Sequence, residues 1–242
     1  MPEFTPVQAN LGNQLMVIAQ AHAGDAPSDG MAWVALRWGI KGDIAPDYNV
    51  SLRLLEPQGH RVGQSDTSLL SNEHHSTSGW EPSQTVTTYH LLSSLPATMP
   101  GIYQIELVSY DPETSHELQV LDSAGASLGP RLPLGTLEIG RPEEQPCVEP
   151  MTIVEDTHLI PDIALLGYDL DQRCFSPGET MHIALYWVAL NEIDRDYAVT
   201  FQLVGEAGEV ATEWTETLAY PTSHWQDDDL WRDWHALRIA PD

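Results

Sequence analysis

At 242 residues with 42% apolar side chains, the chain is long enough for one large or two medium packed domains and too apolar for a disordered one. Ten Lys and Arg against 36 Asp and Glu give a formal charge of −26, a surface that repels phosphate backbones and anionic lipid and so makes nucleic acid and acidic membranes poor partners. The acid is spread rather than gathered into a tail: residues 1–157 hold 20 acidic and 6 basic groups, and residues 158–242 hold 16 and 4.

In chain order, short alternating stretches are bounded by clusters of Gly, Pro, Asn, Asp and Ser: Gln14–Gln20, Met31–Trp38, Tyr48–Glu56, His60–Ser65, Thr87–Leu92, Gly101–Tyr110, Glu117–Asp122 and Leu134–Ile139. Tyr103, Ile105 and Leu107 share one face of their stretch and Gln104 and Glu106 the other, as in a strand with one side on a core. No stretch has convincing helical periodicity. Many short strands with turn chemistry between them predict an antiparallel sandwich of two sheets. Tyr103, near the start of its strand after Pro100-Gly101, is expected to be structural, its hydroxyl turned back to the backbone.

The chain then repeats itself. At an offset of 149 residues, Ala35, Leu36, Trp38, Ile44, Asp47, Tyr48, Val50, Leu54 and Gly59 meet identical residues at 184, 185, 187, 193, 196, 197, 199, 203 and 208, nine identities in 25 positions. At an offset of 145, Thr77, Ser78, Trp80, His90, Leu92 and Pro96 meet Thr222, Ser223, Trp225, His235, Leu237 and Pro241. Tryptophan, glycine and proline have specific packing and backbone roles, so duplication explains these matches better than shared composition. The expected organisation is a complete sandwich over residues 10–140, a Pro- and Glu-rich linker over 141–157, and a second sandwich over 158–242. That second copy has no counterpart of Pro100-Gly101-Ile102-Tyr103, so it is expected to be incomplete at its C-terminal side.

The order of LGNQL (11–15), Trp38, Asp47-Tyr48, Leu54-Leu55-Glu56, GQSD (63–66), Thr77 with Trp80, PGIYQIEL (100–107), YDPETS (110–115) and LGTLEI (134–139) resembles one known module type. It is similar to the tandem immunoglobulin- and fibronectin-like β-sandwiches that follow the membrane region of bacterial glycosyltransferase-like proteins of the dolichyl-phosphate-mannose mannosyltransferase type. In the second copy, ALLGYDLD (164–171), SPGETMHIALYW (176–187), DYAVTFQLV (196–204) and PTSHW (221–225) carry the same pattern. The resemblance implies an extracytoplasmic or cell-surface place beside a membrane-bound parent or partner, and it implies no catalytic residue. No apolar run reaches the ~18 residues that span a bilayer, and MPEFTPVQANLGNQL has neither the basic flank nor the apolar segment of an export signal, so the expectation is a fragment of, or a partner to, such a protein.

Chemistry is sparse. No Gly-x-Ser-x-Gly segment occurs, neither Cys147 nor Cys174 sits beside a histidine, and no glycine-rich phosphate loop precedes a helix. His74-His75 neighbours point to opposite sides of an extended segment, which suits solvated loop residues better than zinc ligands. Asp227, Asp228 and Asp229 are the candidate oxygen ligands for calcium, against the plainer reading of a solvated turn. Trp231, Trp234 and Trp214 are the candidate sugar-stacking residues, against the plainer reading of core indoles. No cofactor is expected. The leading reading is a non-catalytic accessory, spacer or interaction region, with self-association through the unfinished sandwich; a carbohydrate-binding module comes second and a glycoside or ester hydrolase third.

Overall fold

The computed structural model describes residues 3–42, 44–82, 84–144, 146–148 and 153–241, and they form an all-β protein. The strands are β1 (Thr5–Leu11), β2 (Leu15–His22), β3 (Asp25–Pro27), β4 (Met31–Ile40), β5 (Asn49–Leu55), β6 (Arg61–Ser68), β7 (Val86–Ser93), β8 (Gly101–Tyr110), β9 (Val120–Leu121), β10 (Leu132–Gly140), β11 (Ile153–Ile160), β12 (Ile163–Leu170), β13 (Thr180–Ala189), β14 (Ala198–Val204), β15 (Val210–Thr217) and β16 (Leu230–Arg238). Two compact units result: Met1–Leu95 with Ile102–Gly140, and Pro96–Gly101 with Arg141–Asp242.

In unit 1 the sheets run β7-β4-β2-β1-β9 and β3-β10-β8-β5-β6. Val34, Leu36 and Trp38 from one sheet, and Val50, Leu52, Leu54, Ile105 and Leu107 from the other, are all wholly buried. The period-2 alternation of those strands puts these side chains on inner faces, and removing that apolar area from water is the main stabilising term. Tyr103 is buried with Ile105 and Leu107, as its position in the alternation requires.

In unit 2 the sheets run β11-β12-β13-β16 and β14-β15. Here Ile163, Ile183, Leu185, Trp187, Trp225, Trp231 and Leu237 form the buried cluster, with Met99 from the 96–101 segment among them. The 96–101 segment also bridges to β16, where the Arg232 N–H donates to the Ala97 carbonyl at 2.7 Å.

The duplication is visible element by element. β4 and β13, β5 and β14, and β6 and β15 are each 149 residues apart at both ends, and β2 and β12 are 148 apart. Even the irregularities recur: the register slips between Val17 and Ala19 as it does between Leu165 and Gly167, and between Leu54 and Leu55 as between Leu203 and Val204. Bulges of this kind bend and twist a strand at a fixed place, so their repetition is inherited geometry rather than chance.

The shared Asp-Tyr and Thr-Ser residues explain themselves as a loop clasp. Thr77 Oγ1 accepts the Tyr48 N–H at 2.8 Å and donates to the Pro46 carbonyl at 3.0 Å. Thr222 Oγ1 accepts the Tyr197 N–H and donates to the Arg195 carbonyl, both at 2.9 Å. Asp47 takes the Ser78 N–H and Asp196 the Ser223 N–H, each at 3.0 Å, and the serine hydroxyls, with these N–H groups second, hold both carboxyls below their ordinary pKa. Trp80 and Trp225 donate their indole N–H to the carbonyls of His75 and Tyr220. Gly59 and Gly208 sit at φ 90° and φ 86° in the following turns, a region that L side chains rarely adopt.

All eight strands expected in residues 10–140 occur, with shifted ends, and two more appear. β1 begins at Thr5, ahead of the expected boundary at residue 10; Gln8 at φ 59° and a register slip between Pro6 and Ala9 erase its alternation from the sequence. β3 is three residues ending in proline, paired in parallel with β10, too short to leave a periodic signal. β11 begins at Ile153, inside the stretch expected as a linker, because IVEDTHLI carries charge where a strand signature wants apolar residues. The start of that stretch is also fastened: the Arg141 guanidinium bonds Asp229, the Tyr220 hydroxyl and the His224 carbonyl. Residues 145 and 149–152 of the expected linker lie outside the described residues.

Candidate functional site

The expected ligand residues do not converge. Trp231 is 0% exposed, its ring edge-on to Tyr220 inside the core of unit 2, so it offers no face to a sugar. Trp234 is half-buried beneath the Arg232 guanidinium, which lies 4.4 Å from its ring centroid. Trp214 is half-buried too and packs on the core cluster, across the strand pair from Phe201. No stacking platform is formed by the three. The alternation of β16 turns Trp231, Asp233, His235 and Leu237 inward, and burial of that face decides where Trp231 goes.

The aspartates are likewise separated in role. Asp229 is taken by Arg141 and by the Gln226 N–H, and the Asp228 backbone, at φ 65°, donates to the Ala189 carbonyl. Among the described residues no group of three or more His, Cys, Asp or Glu side chains is placed to hold a metal ion. Cys147 and Cys174 are both free and exposed.

One position in the repeat is chemically different in its two copies. His90 on β7 is buried between hydroxyls, Thr67 Oγ1 at 2.8 Å from Nδ1 and Thr88 Oγ1 at 2.7 Å from Nε2, and Thr88 also accepts the Trp38 indole N–H at 2.8 Å. Burial without a countercharge pushes its pKa down to about 4, so the ring is neutral. His235 on β16 has carboxylates in both places, Glu216 at 2.6 Å and Asp233 at 2.5 Å. Burial alone would lower its pKa, but the hydrogen bonds and charges of Asp233 and Glu216 outweigh burial and hold it above the ordinary value. Both histidines tie one sheet of their unit to the other. His235 and Asp233 are each 3% exposed, while the Glu216 side chain reaches the surface. The Trp187 indole N–H, whose counterpart bonds Thr88 in unit 1, is buried with no hydrogen-bond partner.

The open surface of unit 2 lies along β14. In unit 1, β5 is flanked by β6 and by β8, pairing Val50 with Ser109, Leu52 with Leu107 and Leu54 with Ile105. In unit 2, β14 pairs only with β15, and the described residues hold no counterpart of β3, β8, β9 or β10. The side chains register the difference. Leu54 is 0% exposed and its counterpart Leu203 is 41%; Leu11, which pairs with Val120 of β9, is 1% exposed and its counterpart Leu159 is 56%. Beside that edge lies an apolar groove of about 200 Å³, lined by Leu159, Ile163, Tyr197, Val199, Leu218 and Trp225. An unpaired strand next to exposed apolar side chains is the arrangement that accepts a further strand.

No family model matches this chain, and no curated protein matches it. Sequence reading missed one exposed surface in unit 1: Met31, Trp33, Tyr89 and Leu91 stand on the outer face of β4 and β7, with Trp33 paired to Leu91. The signal for it was present, since Trp33 falls on the opposite side of its strand from Val34, Leu36 and Trp38.

Proposed function

We propose that this chain is a non-catalytic, extracytoplasmic accessory region, a spacer and interaction module working beside a membrane-bound glycosyltransferase-like protein. The observation that carries the non-catalytic part is the use to which the duplicated residues are put. Trp38 and Trp187, Thr77 and Thr222, Trp80 and Trp225, and His90 and His235 are all buried in packing or in loop clasps. The membrane context rests on the sequence resemblance, and no helix among the described residues is long and apolar enough to cross a bilayer.

Two measurements on the chain as expressed by its host test this reading: protease accessibility on intact cells, and turnover of a panel of glycosides and esters. The expected result is cleavage from outside and no turnover. Protection from external protease, or turnover abolished by changing one acidic pair, overturns it. Carbohydrate binding is the second reading, favoured by the exposed Trp33 and Tyr89; glycan affinity lost in Trp33→Ala and kept in Trp234→Ala would move the assignment there.

A further inference from the structure

We propose that the groove between β6 and β7 of unit 1 binds a neutral carbohydrate, with the Tyr89 ring stacking on a sugar face and the Thr67 hydroxyl donating to a sugar oxygen. This rests on the second reading above, carbohydrate binding, and gives it a site, a donor and a class of ligand; it adds no catalytic role.

The groove holds about 420 Å³, its walls include Thr67, Ser68, Ser71, Asn72, Thr87 and Tyr89, and no Asp, Glu, Lys or Arg lines it. On a chain with 36 acidic residues, a neutral stretch of this kind selects its ligand by exclusion. A cation finds no carboxylate there to pair with, and an anion meets the repulsion of the surrounding surface. What fits is a neutral molecule with both an apolar face and many hydroxyls, which describes a pyranose ring. Tyr89 supplies the flat partner: it is 68% exposed on the outer face of β7, and its cross-strand neighbour on β4 is the small Ala35.

The core supplies the donor. An indole N–H only donates, so Trp38 gives its proton to Thr88 Oγ1. Among the described residues, the other partner of that hydroxyl is His90 Nε2 at 2.7 Å, so the buried Thr88 proton finds an acceptor only when Nε2 carries no proton. The neutral ring then holds its proton on Nδ1 and donates it to Thr67 Oγ1 at 2.8 Å. Thr67 thus receives a hydrogen bond and keeps its own proton, for which the described residues supply no acceptor. Half-buried in the wall of the groove, it presents that proton to a ligand. Unit 2 lacks this arrangement: at the repeat offsets Thr67, Thr87 and Thr88 become Glu216, Arg232 and Asp233, and Tyr89 becomes Trp234, which lies beneath the Arg232 guanidinium.

The test titrates the full chain with neutral tetrasaccharides of glucose, mannose and galactose, and with tetragalacturonate as the acidic control, while amide resonances are followed by NMR. The expected result is saturable shifts at residues 67–72 and 87–90 with at least one neutral probe, and none with the acidic one. Tyr89→Ala, a change at an exposed side chain, is expected to weaken binding about tenfold. Thr67→Val is expected to weaken it about threefold to tenfold, the worth of one neutral hydrogen bond, while Thr67→Ser and Trp234→Ala bind as the native chain does. Nitrogen NMR of the imidazole should place the His90 proton on Nδ1. Failure of all three neutral probes, equal binding of tetragalacturonate, native affinity in Tyr89→Ala or Thr67→Val, or a His90 proton on Nε2 overturns the proposal. Sugar binding that survives Tyr89→Ala and is lost in Trp33→Ala keeps the second reading and sinks this site. Each of these failures leaves the non-catalytic reading to its own turnover and protease tests.

Discussion

Trp38→Ala is expected to lower the unfolding free energy of unit 1 by about 3–5 kcal/mol, and Trp187→Ala to lower that of unit 2 by clearly less. The two indoles hold the same place in the repeat, but their surroundings differ. Trp38 is 0% exposed, lies among wholly buried side chains of two five-stranded sheets, and donates to Thr88. Its removal leaves a cavity and takes from Thr88 one of its two hydrogen-bond partners, His90 being the other. Trp187 borders the open groove, and its buried N–H has no partner to lose. Deleting a side chain that is already beside a void, and that carries an unsatisfied donor, costs less than deleting one from a filled core. Urea unfolding followed through the amide resonances of each unit measures the pair; equal losses would mean that the two cores are equally filled.

The second large effect is on pH. For His90 the folded pKa, at about 4, lies below the ordinary value of 6.5, so between those values the unfolded chain binds a proton that the folded one refuses. Its contribution to stability is therefore present above 6.5 and is lost as the pH falls toward 4, by on the order of 3 kcal/mol. For His235 the sign reverses. Its folded pKa is raised, so its contribution is full below 6.5 and fades as the pH rises through the folded value. Imidazole resonances followed by NMR should show His90 still neutral at pH 6 and His235 titrating above its ordinary 6.5. The double change Glu216→Thr with Asp233→Thr, which installs the partners that His90 has, is expected to bring His235 below its ordinary value and to give the Trp187 N–H an acceptor. A His235 that still titrates above 6.5 in that variant would show that its charge does not come from those two carboxylates.

Much of this architecture was legible in the residues, because duplication and alternation are both patterns of position. Trp38 and Trp187, or Asp47 with Ser78 and Asp196 with Ser223, mark equivalent places whatever the rest of the strand contains. What escaped had its pattern broken by a local backbone feature or by inward polar groups. β1 hides behind the positive φ of Gln8, and β3 behind its brevity. The inner face of β16 alternates Trp231 and Leu237 with Asp233 and His235, two titratable residues whose burial depends on each other and on Glu216. Trp231 was a sugar-stacking candidate as one of a cluster of tryptophans, a feature that does not itself show which of them the core takes up. The open edge of β14 was anticipated only as an absence in the second copy; the exposure of Leu159 and Leu203 gives it a place and a shape.

The central claim is that one sandwich is written twice and that its second copy leaves bare the strand edge that the first copy covers. Amide hydrogen exchange on the full chain, compared between Asn49–Leu55 and Ala198–Val204, tests it most directly. β5 is hydrogen-bonded on both sides and should be protected at every residue, whereas β14 should alternate, slow where it pairs with β15 and fast at the residues between. Unbroken protection along both strands would contradict the claim.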